Sequence, residues 1–204
     1  MDAATPTAMF PLGAVLFPHM PLPLRIFEER YRIVLGRVLD DETPAFGVVL
    51  IERGSEAGGG DERFGIGTLA RVTHVAAGRE DVNVVARGAG RIRIVEWLPD
   101  DPYPRALVRP VDELVWHDDL EPLRAEAERT VRRVLARAAE FVDVGWDPDV
   151  ELSDDAVEAC WQLAAIAPLG ELDQLTLLQA TSLGGLLATL IDLTLEAEPG
   201  LTTA

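Results

Sequence analysis

The chain has 204 residues and 48% of them are hydrophobic, which affords a sizeable core and excludes wholesale disorder. Its formal charge of -17 is unevenly spread: residues 1–112 hold 16 acids and 13 arginines, whereas residues 113–204 hold 19 acids and 5 arginines. Such a field disfavours phosphate backbones and anionic lipid, and the complete absence of lysine excludes a Walker A loop, a Ser-Lys dyad and Schiff-base chemistry.

Cys160 is the single cysteine, so no intramolecular disulfide and no cysteine-based zinc cluster can form. The apolar run from Met9 to Leu24 is broken by Pro11, Pro18, Pro21 and Pro23 and has no basic residue before it, unlike a secretory signal. Leu183–Leu195 is too short for a membrane span and contains Asp192. A soluble cytoplasmic protein without membrane association is therefore expected.

In chain order, residues 8–26 predict short strands separated by proline turns, because proline cannot donate to a sheet ladder. A helix follows, with Phe27, Tyr31, Val34, Leu35, Val38 and Leu39 on its inward stripe and Asp40 and Asp41 at its end. AFGVVLI (45–51) predicts a strand buried on both faces. Residues 52–63 form a glycine-rich charged loop, expected to be mobile. Residues 64–76 predict a strand, 77–80 a turn, and DVNVVARG (81–88), RIRIVEWL (91–98) and PRALVRPV (104–111) three further strands. So many strands in about a hundred residues predict a closed or nearly closed barrel.

The pattern then turns helical. Residues 118–141 open on Asp118 or Asp119 as N-cap and carry Leu123, Ala127, Val131, Val134, Leu135 and Ala138 inward. After an acidic turn at 143–152, Ser153 is expected to cap a helix with Val157, Cys160, Trp161 and Ala164 inward. A short helix at 171–179 precedes a last one, capped by Ser182, with Leu183, Leu186, Leu187, Leu190 and Leu193 inward. The expected class is α+β: a β-barrel subdomain with one helix over 1–115, then an α-helical bundle over 116–204.

Three blocks carry a family resemblance. MFPLGAVLFPHMPLPLRIFEERY (9–31), GIGTLARVTHV (65–75) and ARGAGRIRIVE (86–96) resemble, in order and spacing, the N-terminal substrate-binding domain of the Lon proteases. The resemblance implies a PUA-like pseudo-barrel followed by a helical bundle. It also implies a part in capturing unfolded or tagged polypeptide, ahead of an ATPase that this sequence does not reach. The function expected is a non-catalytic polypeptide- or protein-recognition module, an adaptor or regulator of proteolysis. Expected partners are unfolded or tagged polypeptide or a dedicated protein; no nucleic acid, cofactor or metal is expected, and no oligomeric state is assigned.

The residues expected to touch a partner are Phe17, His19, Met20 and Leu22 on the proline-rich loop, held exposed by their prolines. Trp97 and Trp116 are added, in a groove expected between the barrel and the helices. Other motifs have plainer readings. GIGTLA (65–70) matches a dinucleotide fingerprint but is followed by a strand pattern, where a helix is required. Asp143, Asp147, Asp149, Glu151 and Asp154 resemble a calcium loop, yet Pro148 stands where an EF-hand needs glycine. His19, His74 and His117 lack a metal-ligand spacing. Ser55 lacks a nucleophile elbow, Ser153 and Ser182 read as caps, and Cys160 reads as a buried thiol, so no hydrolase site is nominated. The runner-up is an RNA-binding barrel using Arg87, Arg91 and Arg93 on one hairpin. Against it stand the negative field and, for Arg124, Arg129, Arg132, Arg133 and Arg137, acidic neighbours at helical spacing.

Overall fold

The computed structural model describes residues 4–51, 63–79, 81–100, 102–141 and 144–201. The glycine-rich loop with Ser55, and Asp143 of the acidic turn, lie outside them. The chain divides into two compact units, Met1–Glu113 and Leu114–Ala204.

The first unit holds strands β1 (Thr5–Leu12), β2 (Pro21–Ile26), β3 (Ala45–Ile51), β4 (Arg63–Ala77), β5 (Val82–Leu98) and β6 (Arg105–Pro110), with helix α1 (Glu29–Leu39) between β2 and β3. The sheet order is β2-β5-β4-β3-β1-β6, and β6 also pairs with β5. Five strands thus close a ring, while β2 hangs on its outside along β5. It is a sheet ring and not a true barrel, because β1 and β5 each change partner part-way. β1 pairs with β6 over Thr5–Ala8 and with β3, in parallel, over Met9–Leu12. β5 meets β2 over Val82–Arg87 and β6 over Ile92–Leu98. Met9, Val49, Ile92, Ala106 and Val108 form a buried cluster, against which Phe64, Leu69, Ile94 and Trp97 pack. β3 is buried through its middle on both faces, as its unbroken apolar run requires.

The hairpin expected between 88 and 91 does not exist: β5 runs straight through Gly88, Ala89 and Gly90. Leu69 faces Gly90 and Ala70 faces Gly88, so Ala89 is an extra residue and the glycines mark a β-bulge that bends the strand. Gly88 is required for another reason as well. A Cβ there would lie 2.3 Å from the Phe17 carbonyl oxygen, so only glycine lets the 17–20 turn lie on β5. Gly67 is a second close approach, its position lying against the Val48 carbonyl of β3. Of the GIGTLA glycines Gly67 therefore serves strand packing, and the segment continues as β4 with no helix after it.

The second unit contains a 3-10 turn (Asp118–Leu120), α2 (Glu121–Ala138), α3 (Ala156–Ile166), α4 (Glu171–Leu178) and α5 (Leu183–Leu201). α2 buries Ala127, Val131, Val134, Leu135 and Ala138, the stripe its periodicity predicts. α5 lies against α2 and runs in the same direction: Gly184 sits near Leu120 at the N-terminal ends, and Glu198 receives Arg133 and Arg137 at the C-terminal ends. In α5 the buried leucines continue to Leu190, after which Thr194 holds the fully buried position and Leu193 is half-buried.

Two cap expectations change. Asp118 and Asp119 form the 3-10 turn, and the residue before α2 is Leu120, because Pro122 suits the first helical turn. Asp155, not Ser153, caps α3 by accepting from the Glu158 N–H at 2.8 Å. Ser153 sits one step out and accepts from the Asp155 N–H. Ser182 does cap α5, accepting from the Gly185 N–H at 3.1 Å. No helix among the described residues is long and apolar enough to cross a membrane.

Candidate functional site

The segment 17–20 is a tight turn. Met20 N–H donates to the Phe17 carbonyl at 3.3 Å, with Pro18 and His19 at the corner. Proline presets the first corner; His19 takes φ 65, a conformation glycine or asparagine adopts more easily. The turn is locked to β5: His19 N–H donates to Gly88 carbonyl at 2.8 Å, Gly88 N–H to Met20 carbonyl at 2.9 Å, and Arg87 Nε to His19 carbonyl at 3.0 Å. Thr68, buried in β4, donates its hydroxyl to the Leu16 carbonyl.

This corrects the expectation of an exposed apolar loop. Phe17 and Met20 are 2% and 7% exposed and belong to the core. Pro18 makes a corner of the turn while Pro21 and Pro23 lie within β2, and none of them keeps its neighbours out of the interior, because the turn folds its side chains inward against β5. His19 and Leu22 are half-buried, Leu22 lying in β2 opposite Ala86. Trp97 is half-buried on β5 and packs against the ring core. Trp116 is half-buried in the second unit, its Nε1 donating to Asp118 Oδ1 at 3.1 Å. The structure brings Phe17, His19 and Met20 together in one turn; the two tryptophans fall in different units.

A different constellation emerges at the start of α1. β2 ends at Ile26 and the helix begins at Glu29 after the extended Glu28, so Phe27 stands before the helix and off its stripe. Phe27 is 67% exposed, the highest exposure among the described large apolar residues of the first unit. Helical spacing predicts it inward, along with Leu39, which is 41% exposed; only Val34, Leu35 and Val38 of that stripe are fully buried. Beside Phe27 opens a cleft of about 290 Å³, lined by Phe10, Leu12, Leu24, Ile26 and Tyr31 with Arg25, Glu28 and Arg30 at its polar side. Its wall is rigid: the Phe10 and Tyr31 rings stack at 4.7 Å, and Phe10 meets Phe46 at 4.5 Å. Arg30 lies 4.7 Å over the Tyr31 ring and donates to Glu28 at 2.9 Å. Arg25 pairs with Asp81. Nearly all these residues belong to the opening block at 9–31.

The substrate-binding domain model of the ATP-dependent protease La (Lon) matches residues 7–195. The chain belongs to the Lon substrate-binding domain family. It is 31% identical over 144 residues to a Lon protease of Koribacter versatilis (strain Ellin345), covering 69% of this chain and 17% of that protein. It is 28% identical over 156 residues to Lon protease 2 of Myxococcus xanthus, covering 65% of this chain and 19% of that one. The chain thus spans less than a fifth of the length of these relatives, and the match is to the Lon substrate-binding domain, with no protease or ATPase part. Among solved structures, a Lon N-terminal domain protein from Xanthomonas campestris superposes with a TM-score of 0.64 at 25% identity, covering 92% of this chain and 98% of that one. The N-terminal domain of Mycobacterium avium complex Lon protease shares the fold, with a TM-score of 0.64 at 17% identity over 94% of this chain and 99% of that one.

In this Lon-type domain Arg87, Arg91, Arg124, Arg132, Arg133 and Arg137 have structural partners. Arg91 is 5% exposed and donates to the Asp112 carbonyl at 2.8 Å; burial, reinforced by nearby Arg93, lowers its pKa from the ordinary value. Of the three expected on a hairpin, Arg91 is buried and Arg87 and Arg93 are exposed, Arg87 with its Nε committed to the turn. On α2, Arg124 pairs with Glu121 at 2.7 Å and Arg132 with Glu128 at 2.9 Å. Arg132 also clasps the carbonyls of Pro148 and Val150, pinning the acidic turn. Among the described residues no group of His, Cys, Asp and Glu could hold a metal ion. Cys160 is buried in α3 and its pKa is pushed up to about 11, mainly by burial, which leaves an unreactive thiol.

Proposed function

We propose that this chain is a non-catalytic polypeptide-recognition module that serves proteolysis as an adaptor or regulator. The observation that carries the reading is the exposed Phe27 on the lip of a rigid aromatic cleft built from the family's opening block. An aromatic residue held out in water, beside an apolar concavity with a charged rim, is the composition of a recognition hot spot. An unfolded chain offers the complementary partner: apolar side chains for the cleft and free backbone groups for Arg25, Glu28 and Arg30. Family membership in the Lon substrate-binding domains supports the same role.

In this reading residues 1–115 act as a PUA-like pseudo-barrel that presents the cleft, and residues 116–204 as a helical bundle whose acidity serves solubility. His19, Leu22 and Trp97 keep exposed surface on the same unit as the cleft, and Trp116 keeps exposed surface on the second unit. Phe17 and Met20 act only by supporting the turn. The test is fluorescence anisotropy of a labelled, permanently unfolded polypeptide titrated with the protein at low and high salt. Saturable binding that persists at high salt is expected, because apolar contacts are not screened; absence of binding at both salts sinks the proposal.

A further inference from the structure

The first unit has a second cavity, larger than the Phe27 cleft. It measures about 650 Å³ and opens where β1 leaves β3. Thr5, Pro6, Thr7 and Ala8 all line it. Four consecutive residues of a strand can border one space only when the strand's edge, and not a single face, meets it. Over this stretch β1 pairs with β6 on one side, and its pairing with β3 begins only at Met9. The floor is apolar, from Val38, Leu69, Ile92 and Val108.

Two guanidinium groups line the same space, Arg37 from α1 and Arg105 from β6, against one carboxylate, Asp41. Arg37 is positioned by Tyr103, donating to its hydroxyl at 3.2 Å with the guanidinium 5.4 Å from the ring centroid. Arg105 reaches the Pro99 carbonyl at 3.5 Å, but its Nε is buried without a hydrogen-bond partner among the described residues. A buried charged donor left unsatisfied is costly and points to an acceptor that arrives from outside.

We infer that this cavity receives the free C-terminal carboxylate of a polypeptide ending in an apolar residue, a deepening that rests on the recognition function proposed above. The arginines take the carboxylate through charge-assisted hydrogen bonds. The last side chain lies on the Leu69, Ile92 and Val108 floor. The edge of β1 pairs with the preceding backbone, as in other strand-addition sites for chain ends. Asp41 opposes the carboxylate, and two arginines outweigh it.

The test uses the whole protein and a labelled peptide ending in Val-Leu, made once with a free carboxylate and once with a C-terminal amide. The free acid is expected to bind about tenfold or more tightly than the amide. Arg105→Gln and Arg37→Gln should each shrink that ratio, and Asp41→Asn should tighten the free acid. Because Asp41 is exposed, the last variant gives a gain of binding that misfolding cannot imitate. Equal binding of acid and amide, with an unfolded polypeptide still captured, overturns this inference and leaves the recognition function standing. If neither peptide binds and the unfolded polypeptide is not captured, both are overturned.

Discussion

Replacing Gly88 by alanine probes the contact on which the 9–31 block and the 86–96 block depend. The added Cβ would lie 2.3 Å from the Phe17 carbonyl oxygen and 3.1 Å from Pro18 Cα, both backbone atoms that cannot swing aside. Overpacking of this kind costs about 1–3 kcal/mol. Pushing the turn away also weakens two backbone hydrogen bonds, His19 to Gly88 and Gly88 to Met20, worth roughly 1 kcal/mol each. Alanine returns about 0.4–1 kcal/mol by restricting the unfolded chain. The net expectation for Gly88→Ala is a loss of about 2–4 kcal/mol, read from urea unfolding. Gly90 is the internal control, since a Cβ there meets nothing within 4 Å. Gly90→Ala should leave stability unchanged or raise it by up to about 1 kcal/mol. If Gly88→Ala is neutral, or both variants lose stability alike, the turn is not held on β5 as described.

Thr68→Val keeps shape but removes the donor to the Leu16 carbonyl, and should cost about 1–3 kcal/mol in the same assay by leaving a buried acceptor unpaired. The Cys160 thiol should resist modification by a thiol reagent in the native state and react on unfolding. Its native pKa is about 11 against an ordinary 9.0, so the unfolded chain ionises first and stability should fall as pH rises between those values. Cys160→Ala should flatten that part of the profile, as read from unfolding midpoints below pH 9.0 and near pH 11. Arg132→Met should release the Pro148 and Val150 carbonyls, lower stability by about 1–3 kcal/mol, and make residues 144–152 more susceptible to limited proteolysis than in the wild type.

Where the chain's own periodicity decides the structure, the sequence was readable. The α2 stripe from Ala127 to Ala138, the buried β3 and the α5 leucines up to Leu190 follow from apolar spacing alone. The misreadings occur where a tertiary contact overrides a local signal. Gly88 and Gly90 read as a turn, but the bulge and the approach of Phe17 keep them inside one strand. Phe27 fits the helical spacing of Tyr31 and Val34, yet β2 pairs as far as Ile26 and delays the helix to Glu29. The FPHM turn carried its signal in Pro18 at a corner position, but the direction of its side chains depends on β5, some seventy residues away. Arg37, Tyr103 and Arg105 gave no local sign of sharing a cavity, since partner changes along β1 and β5 bring them together.

The most direct measurement is the affinity of a labelled, permanently unfolded polypeptide for the wild-type protein and for Phe27→Ser. Because Phe27 is 67% exposed, its removal should leave folding stability within about 0.5 kcal/mol. An aromatic anchor of a recognition site is worth about 2 kcal/mol or more, so affinity should fall by roughly thirtyfold. That loss with an unchanged unfolding curve is the result predicted here. Equal affinity of the two proteins would contradict the assignment of recognition to the Phe27 cleft.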